Sequence, residues 1–363
     1  MLGPAQAKAR PAARAGGAPL GGRAWTGRPP RLRSGGVTAR PAPRPSAPPR
    51  PFGGRLGGFL ERRLDGMAAR LLRPDGGPSI DFAEPAGEAA LFGPDSVAWR
   101  VFKNPVALFA GGVAAAVLEL AHPAVRTGVW EHSAFRADPA GRLRRTGLAA
   151  MVSVYGPRSR AEAMIAGIDR RHARVAGRTP SGEPYRARDP RLLDWVQATA
   201  TFGFTEGYSR YAAPLSEAER SRAFAEAVPA ARLYGATGAP ASLAEWRRAL
   251  EEALPALEPS PIVFEALRLL RRAPVLPPPL RPLQRVLIRG GVEIVPGAVR
   301  ERLGLGRGHG LRPGEGALLR RAGALADRIV LPSAPPAQAS RRLGLPAGHL
   351  YGRAPGGGRD GAT

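Results

Sequence analysis

Four helix-start signals lie between residues 138 and 245 and constrain this chain to a largely helical fold. Asp138-Pro139 and Asp189-Pro190 each set a side chain that can accept from exposed backbone N–H groups just before a proline, whose ring suits the first helical position. Ser216-Glu217-Ala218-Glu219 and Ser242-Leu243-Ala244-Glu245 fit the capping box, in which Ser and Glu each accept from the other's backbone. Strand signals are sparse, with few stretches of strict alternation and β-branched residues uncommon outside Gly291 to Val295. Apolar periodicity predicts helices over 95–120, 139–155, 158–176, 190–212, 216–233, 242–253, 260–272, 281–291 and 314–328, with no internal repeat. The expected class is all-α.

The absence of cysteine excludes disulfides, iron–sulfur clusters, thiolate-ligated haem and cysteine zinc sites. The formal charge is +25, but residues 1–60 hold eleven basic side chains and no acid, and from Pro335 onward four arginines face only Asp360. The ends thus carry +11 and +3, which leaves +11 for residues 61–334. Lys8 and Lys103 are the only lysines, and such arginine usage fits a G+C-rich coding sequence as well as an anionic partner. Residues 1–58, rich in Ala, Pro, Gly and Arg without helical or strand period, are expected to be a disordered basic tail, and residues 335–363 a second disordered tail. A single helical domain is expected over 59–334, with the prolines between Pro274 and Pro282 shaping a connection inside it.

The uncharged stretch Pro105 to Leu118 is shorter than the roughly 18–20 residues of a bilayer span, so no transmembrane segment is expected. No secretory signal is read, and a cytoplasmic location is expected. The basic tail offers only Trp25, Phe52 and Phe59 as stacking platforms, so no specific nucleic-acid partner is expected.

Candidate chemistry centres on His172. From Pro157 onward, Ala161, Met164, Ile165, Ile168 and Val175 recur at three-and-four spacing, and His172 follows Ile168 by four, on the same apolar face. A buried imidazole satisfies its ring nitrogens through hydrogen bonds or by ligating a metal through one of them, and spacing leaves both open. On the helix opening at Pro139, Arg142, Arg145 and Thr146 stand three and four apart. They could hold the carboxylates of a planar cofactor or stabilise developing negative charge, whereas with Arg144 they also fit a solvated basic turn. His122 precedes Pro123 at a helix end, His132 sits in a connection, and His309 and His349 read as surface residues. Gly304-x-Gly306-x-Gly308 has no strand before it and lacks the dinucleotide-loop spacing.

The collinear order of short motifs carries a resemblance. Phe92-Gly93-Pro94-Asp95-Ser96 with Trp99-Arg100 is followed by Leu120-Ala121-His122-Pro123-Ala124-Val125, His132-Ser133 with Phe135, and Asp138-Pro139 with Arg142 and Arg145-Thr146. Then come His172 with Val175 and Gly177, Gly182-Glu183-Pro184-Tyr185, Asp189-Pro190 with Leu192-Leu193 and Trp195-Val196, and Pro296 with Val299-Arg300-Glu301 and Leu303-Gly304-Leu305. Over roughly residues 90–310 this resembles the rubber oxygenases (latex-clearing proteins) and mpaB-type oxygenases.

The resemblance implies a globin-like helical core around haem b, with His172 as proximal iron ligand and Arg142 and Thr146 near the haem. Arg145 stands where the best-known rubber enzymes have a lysine that can cap the iron. An arginine stays protonated and is a poor ligand, so Arg145 is expected to bind a haem propionate or bound dioxygen instead. Gln197 stands where many relatives carry histidine. The implied function is a haem-dependent oxygenase acting with dioxygen on an apolar substrate of isoprenoid or lipid-like kind, with Arg145 and Thr146 tuning the distal side. The alternative is a non-catalytic haem- or lipid-binding helical protein.

Overall fold

Thirteen α-helices and one short β-hairpin are found among the described residues, 65–66 and 80–351 of the computed structural model. They run α1 (Val97–Phe102), α2 (Pro105–Ala121), α3 (Pro123–His132), α4 (Pro139–Tyr155), α5 (Arg158–His172), β1 (Ala176–Arg178), β2 (Pro184–Arg186) and α6 (Pro190–Tyr211). After these come α7 (Glu217–Leu233), α8 (Leu243–Ala253), α9 (Pro261–Arg272), α10 (Arg281–Ile294), α11 (Gly297–Arg302), α12 (Glu315–Ala326) and α13 (Pro335–Arg342). The all-α class expected from the capping signals holds. The expected tail over residues 1–58 lies outside the described residues.

The caps form as the sequence dictates, with one difference. Asp138 accepts from Gly141 N–H at 2.8 Å and Asp189 from Arg191 N–H at 2.9 Å. Ser216 and Glu219 close a reciprocal box. Ser242 accepts from Glu245 N–H at 3.1 Å, but Glu245 accepts from Ala241 N–H rather than from Ser242, so this box is only half closed.

Three expectations are corrected. The helix predicted over 95–120 is two helices, because Pro105 has no N–H to continue the first and Asn104 restarts the second, accepting from Val106 and Ala107 N–H at 3.1 Å each. The helix predicted to 176 stops at His172, and the chain turns into β1, which pairs antiparallel with β2 around the left-handed Gly182. Residues 335–351, expected to be unstructured, continue the fold through α13 to Tyr351, while residues 352–363 lie outside the described residues. Pro335-Pro336 start that helix, a position proline tolerates, and Arg342 anchors its end. The guanidinium of Arg342, 2% exposed, donates to Glu88 O at 2.8 Å, Phe82 O at 2.5 Å and Tyr155 O at 2.7 Å. Replacing Arg342 with methionine leaves three carbonyls unsatisfied and is expected to destabilise the protein by roughly 3 kcal/mol in urea unfolding. A loss below about 0.5 kcal/mol would show that water replaces the clamp.

The core is centred on α2, which is almost free of charge because neighbours cover most of its circumference. Its contact with α6 is a seam of small residues. A Cβ on Gly203 would stand 2.5 Å from Gly111 O, and one on Gly207 would stand 2.6 Å from Ala107 O. Since 111 meets 203 while 107 meets 207, the two helices run antiparallel. On another face of α2, Gly291 of α10 lies against Val113 and Ala110 O. The β-branched Gly291–Val295 segment, the best strand signal in the sequence, is therefore mostly the buried end of a helix. Trp195 locks the far end of the seam by donating to Leu118 O at 3.2 Å, and it packs on Trp246.

Candidate active site

Beside the close-packed seam, α2 and α6 present stripes that keep partial solvent access: Leu108, Gly112, Ala116 and Glu119 on one, Gln197, Ala200, Thr201 and Phe204 on the other. Because the helices are antiparallel and each stripe is offset in the same rotational sense from its glycines, both stripes fall on the same side of the seam. A Cβ on Gly112 would sit 3.6 Å from the Phe204 ring, which fixes the register. The same register sets Ala116 against Ala200 and brings Glu119 level with Gln197. The result is a wall of small side chains with a carboxylate and an amide at one end.

Glu119 is the one acidic residue of α2. Desolvation pushes its carboxyl up to about 7, against the pull of the Arg142 guanidinium. Arg142, half-buried on α4, is itself held below its ordinary value by desolvation, with Glu119 acting in the opposite direction. Arg142 is also near enough for its charge to act on His172. Glu119, Arg142 and His172 thus form an electrostatic chain across α2, α4 and α5.

His172 closes α5, half-buried, after the apolar Ala161, Met164, Ile165 and Ile168. The imidazole has no hydrogen-bond partner among the described residues, and desolvation, with Arg171 and Arg142 nearby, depresses its pKa despite Asp169. It is neutral near pH 7, the form that can ligate a metal. Val175, read as part of the same stripe, lies beyond the helix in the turn before β1, its N–H donating to His172 O at 3.0 Å.

The other members of the predicted cluster separate. Arg142 donates to Thr146 Oγ1, whose hydroxyl donates to Arg142 O at 2.8 Å, so these two share a side as their four-residue spacing requires. Arg145 is exposed and pairs with the cap residue Asp138 at 3.4 Å, with its charge still acting on Arg142. Thr146 is exposed as well.

Of the remaining histidines, His132 Nε2 lies 3.2 Å from Tyr185 Oη on the hairpin. His122 has a buried Nδ1 without a partner and sits at the N-cap of α3 without a capping bond from its side chain. His309 and His349 are half-buried rather than on the surface: His309 packs against Phe264 and His349 Nε2 lies 3.7 Å from Asp95. Glu119 escaped the sequence reading because a lone carboxylate at the end of an apolar run reads as the end of that run. Its signal was the spacing from Gly112 and Ala116, which places it on the face of α2 that is least covered.

The fold and the site define an all-helical protein whose central helix presents a small-residue wall toward one ionisable cluster. The sequence matches the family described as ER-bound oxygenase mpaB/B'/Rubber oxygenase, catalytic domain, over residues 99–328, and the chain belongs to that family. It is an oxygenase by family. No curated protein and no solved structure matches it.

Proposed function

We propose that this chain is a haem b-dependent oxygenase in which His172 is the iron ligand, acting with dioxygen on an apolar, isoprenoid or lipid-like small molecule. The observation that carries the reading is His172 itself, a desolvated, neutral imidazole without a hydrogen-bond partner among the described residues, linked through the charge of Arg142 to Glu119 at the end of the small-residue wall. Among the described residues no three His, Asp or Glu side chains gather as a metal cage. An iron held by a single histidine would need its remaining ligands from elsewhere, and the macrocycle of haem would supply them. When bound, the haem would supply the one-electron and dioxygen chemistry that side chains lack.

The protein's own contribution is binding, orientation and proton control. Ala116, Ala200 and Gly112 would leave space for an apolar group against the wall, with the Phe204 ring beside Gly112. Glu119, with its carboxyl near 7, can take up or release a proton at neutral pH. Arg142 keeps a positive charge between that carboxyl and His172, where it opposes protonation of the imidazole. Thr146 shares the side of α4 that carries Arg142 and offers a hydroxyl to a polar atom of the cofactor. Arg145, exposed beside Asp138, would offer its guanidinium to a cofactor carboxylate and cannot cap an iron as a lysine can.

The test is the absorption spectrum of the full chain reconstituted with haem. A Soret band is expected in the native protein. In His172→Ala it should be lost or reduced more than tenfold, with far-ultraviolet circular dichroism unchanged because the core helices remain. Oxygen uptake should accompany addition of an isoprenoid hydrocarbon only in the native form. An unaltered Soret band in the variant would overturn the ligand assignment, and failure of the native chain to retain haem would overturn the cofactor.

A further inference from the structure

The β-hairpin that follows His172 separates its two faces by chemistry. In the antiparallel register Ala176 pairs with Arg186, Gly177 with Tyr185 and Arg178 with Pro184, so Arg178 and Arg186 project from one face, Gly177 and Tyr185 from the other. The second face is turned to α3: Tyr185 is buried, its ring 3.4 Å from where a Cβ on Gly128 would stand, and its hydroxyl meets His132. The first face is open, and both of its arginines are exposed. At its base the turn holding Arg174 meets the turn holding Arg188 through the bond from Ala187 N–H to Val175 O at 3.0 Å, and Arg170 and Arg171 are exposed on the last turn of α5 beside it.

Six arginines therefore stand against three carboxylates between Asp169 and Asp189, and only Asp169 pairs with one of the six. Asp169 binds Arg188, Asp189 caps α6 and pairs with Arg191, and the charge of Glu183 acts on His122, on the α3 side. Arg170, Arg171, Arg174, Arg178 and Arg186 are left without a carboxylate partner among the described residues. Arg174 and Arg178, four residues apart, are separated by about 13 Å at most in extended chain, with Arg186 alongside on the neighbouring strand.

We propose that this arginine face docks the enzyme on an anionic lipid bilayer. The choice of a lipid surface rests on the reading of an apolar substrate, since such a molecule concentrates in a membrane and docking beside His172 would bring the site to it. The face itself argues in the same direction. It has no exposed aromatic ring on which a nucleic-acid base could stack, Tyr185 being buried beneath it, and no large apolar side chain to anchor a protein partner. A flat field of guanidinium groups needs only a continuous layer of negative charge, where each basic residue near the surface strengthens binding about fivefold. No single described helix is long and apolar enough to cross a bilayer, and the pair α2–α3 meets that length and apolarity only with a 107° bend.

The test is sedimentation of the full chain with phosphatidylcholine vesicles containing 30 mole per cent phosphatidylserine (roughly the anionic fraction at which polybasic segments bind) and with pure phosphatidylcholine vesicles. Binding is expected only to the anionic vesicles and should be lost on raising the salt well above physiological strength, as screening shortens the reach of each charge. Arg174→Glu/Arg178→Glu/Arg186→Glu should weaken it at least tenfold. Arg248→Glu/Arg268→Glu/Arg272→Glu, which removes the same charge from exposed positions on α8 and α9, should leave most of it. Equal weakening by both variants would assign the effect to net charge and overturn the proposal. So would a hairpin variant that binds vesicles normally, or one that loses affinity for a DNA duplex and not for vesicles. Circular dichroism of both variants controls for folding, and because vesicle binding is read without haem, its failure is separable from failure of the cofactor assignment.

Discussion

Replacing Gly203 with valine is expected to destabilise the protein by at least about 3 kcal/mol and to leave little folded material at 37 °C. The reason is local. A Cβ at this position would lie 2.5 Å from Gly111 O and 3.1 Å from Ala115 N, so the obstruction is backbone against backbone across the α2–α6 seam, and no side chain can rotate out of the way. Moving the helices apart would relieve the clash only by loosening the rest of the seam. Gly147 supplies the control. It lies inside α4 with nothing within 4 Å of where a Cβ would stand, and Gly147→Ala is expected to stabilise by roughly 0.5–1 kcal/mol through helix propensity alone. Urea unfolding of both variants checks the pair, and a Gly203→Val protein of native stability would show that the seam is not the close contact described.

The seam also shows what could be read from the sequence and what could not. Caps are local, a matter of three or four consecutive residues, and Asp138, Asp189 and Ser216 act where the sequence places them. Which face of an apolar helix meets which partner is a tertiary property. Residues such as Gly111, Gly203 and Gly291 carry no side-chain pattern to declare it, and the helix predicted over 281–291 runs on to Ile294 through a β-branched segment that lies in a close contact. The hairpin was missed for a related reason: each strand is three residues long, too short for alternation to register.

For the site, periodicity brought out His172, and Arg142 and Thr146 stay together because four residues make about one helical turn. Arg145, one residue earlier than Thr146, points toward Asp138, since a helix turns by about 100° per residue and a carboxylate was within reach. Glu119 joins Arg142 only through the packing of α2 with its neighbours, and no spacing along the chain encodes that proximity.

Glu119 should also leave its mark on stability. Its carboxyl is near 7 in the folded protein and near 4.5 when unfolded, so between these values the folded state holds more protons than the unfolded one. Stability contributed by this group is then full below about pH 4.5, falls as pH rises through that window and levels off above about pH 7. The span corresponds to roughly 3 kcal/mol at most, because each pKa unit is about 1.4 kcal/mol. Glu119→Gln keeps the shape and removes the titration. The attraction of Arg142 for the ionised carboxylate adds no separate pH dependence, because it is already contained in the native carboxyl's value near 7. Relative to the native protein, Glu119→Gln is therefore expected to gain stability steadily from pH 4.5 to pH 8, by an amount approaching 3 kcal/mol. Urea unfolding of both proteins at pH 4.5, 6 and 8 reads the difference directly, and contributions from other titrating groups cancel between them. Parallel stability profiles would show that Glu119 is solvated and ionised like any surface carboxylate, and would remove it from the chain of charges that leads through Arg142 to His172.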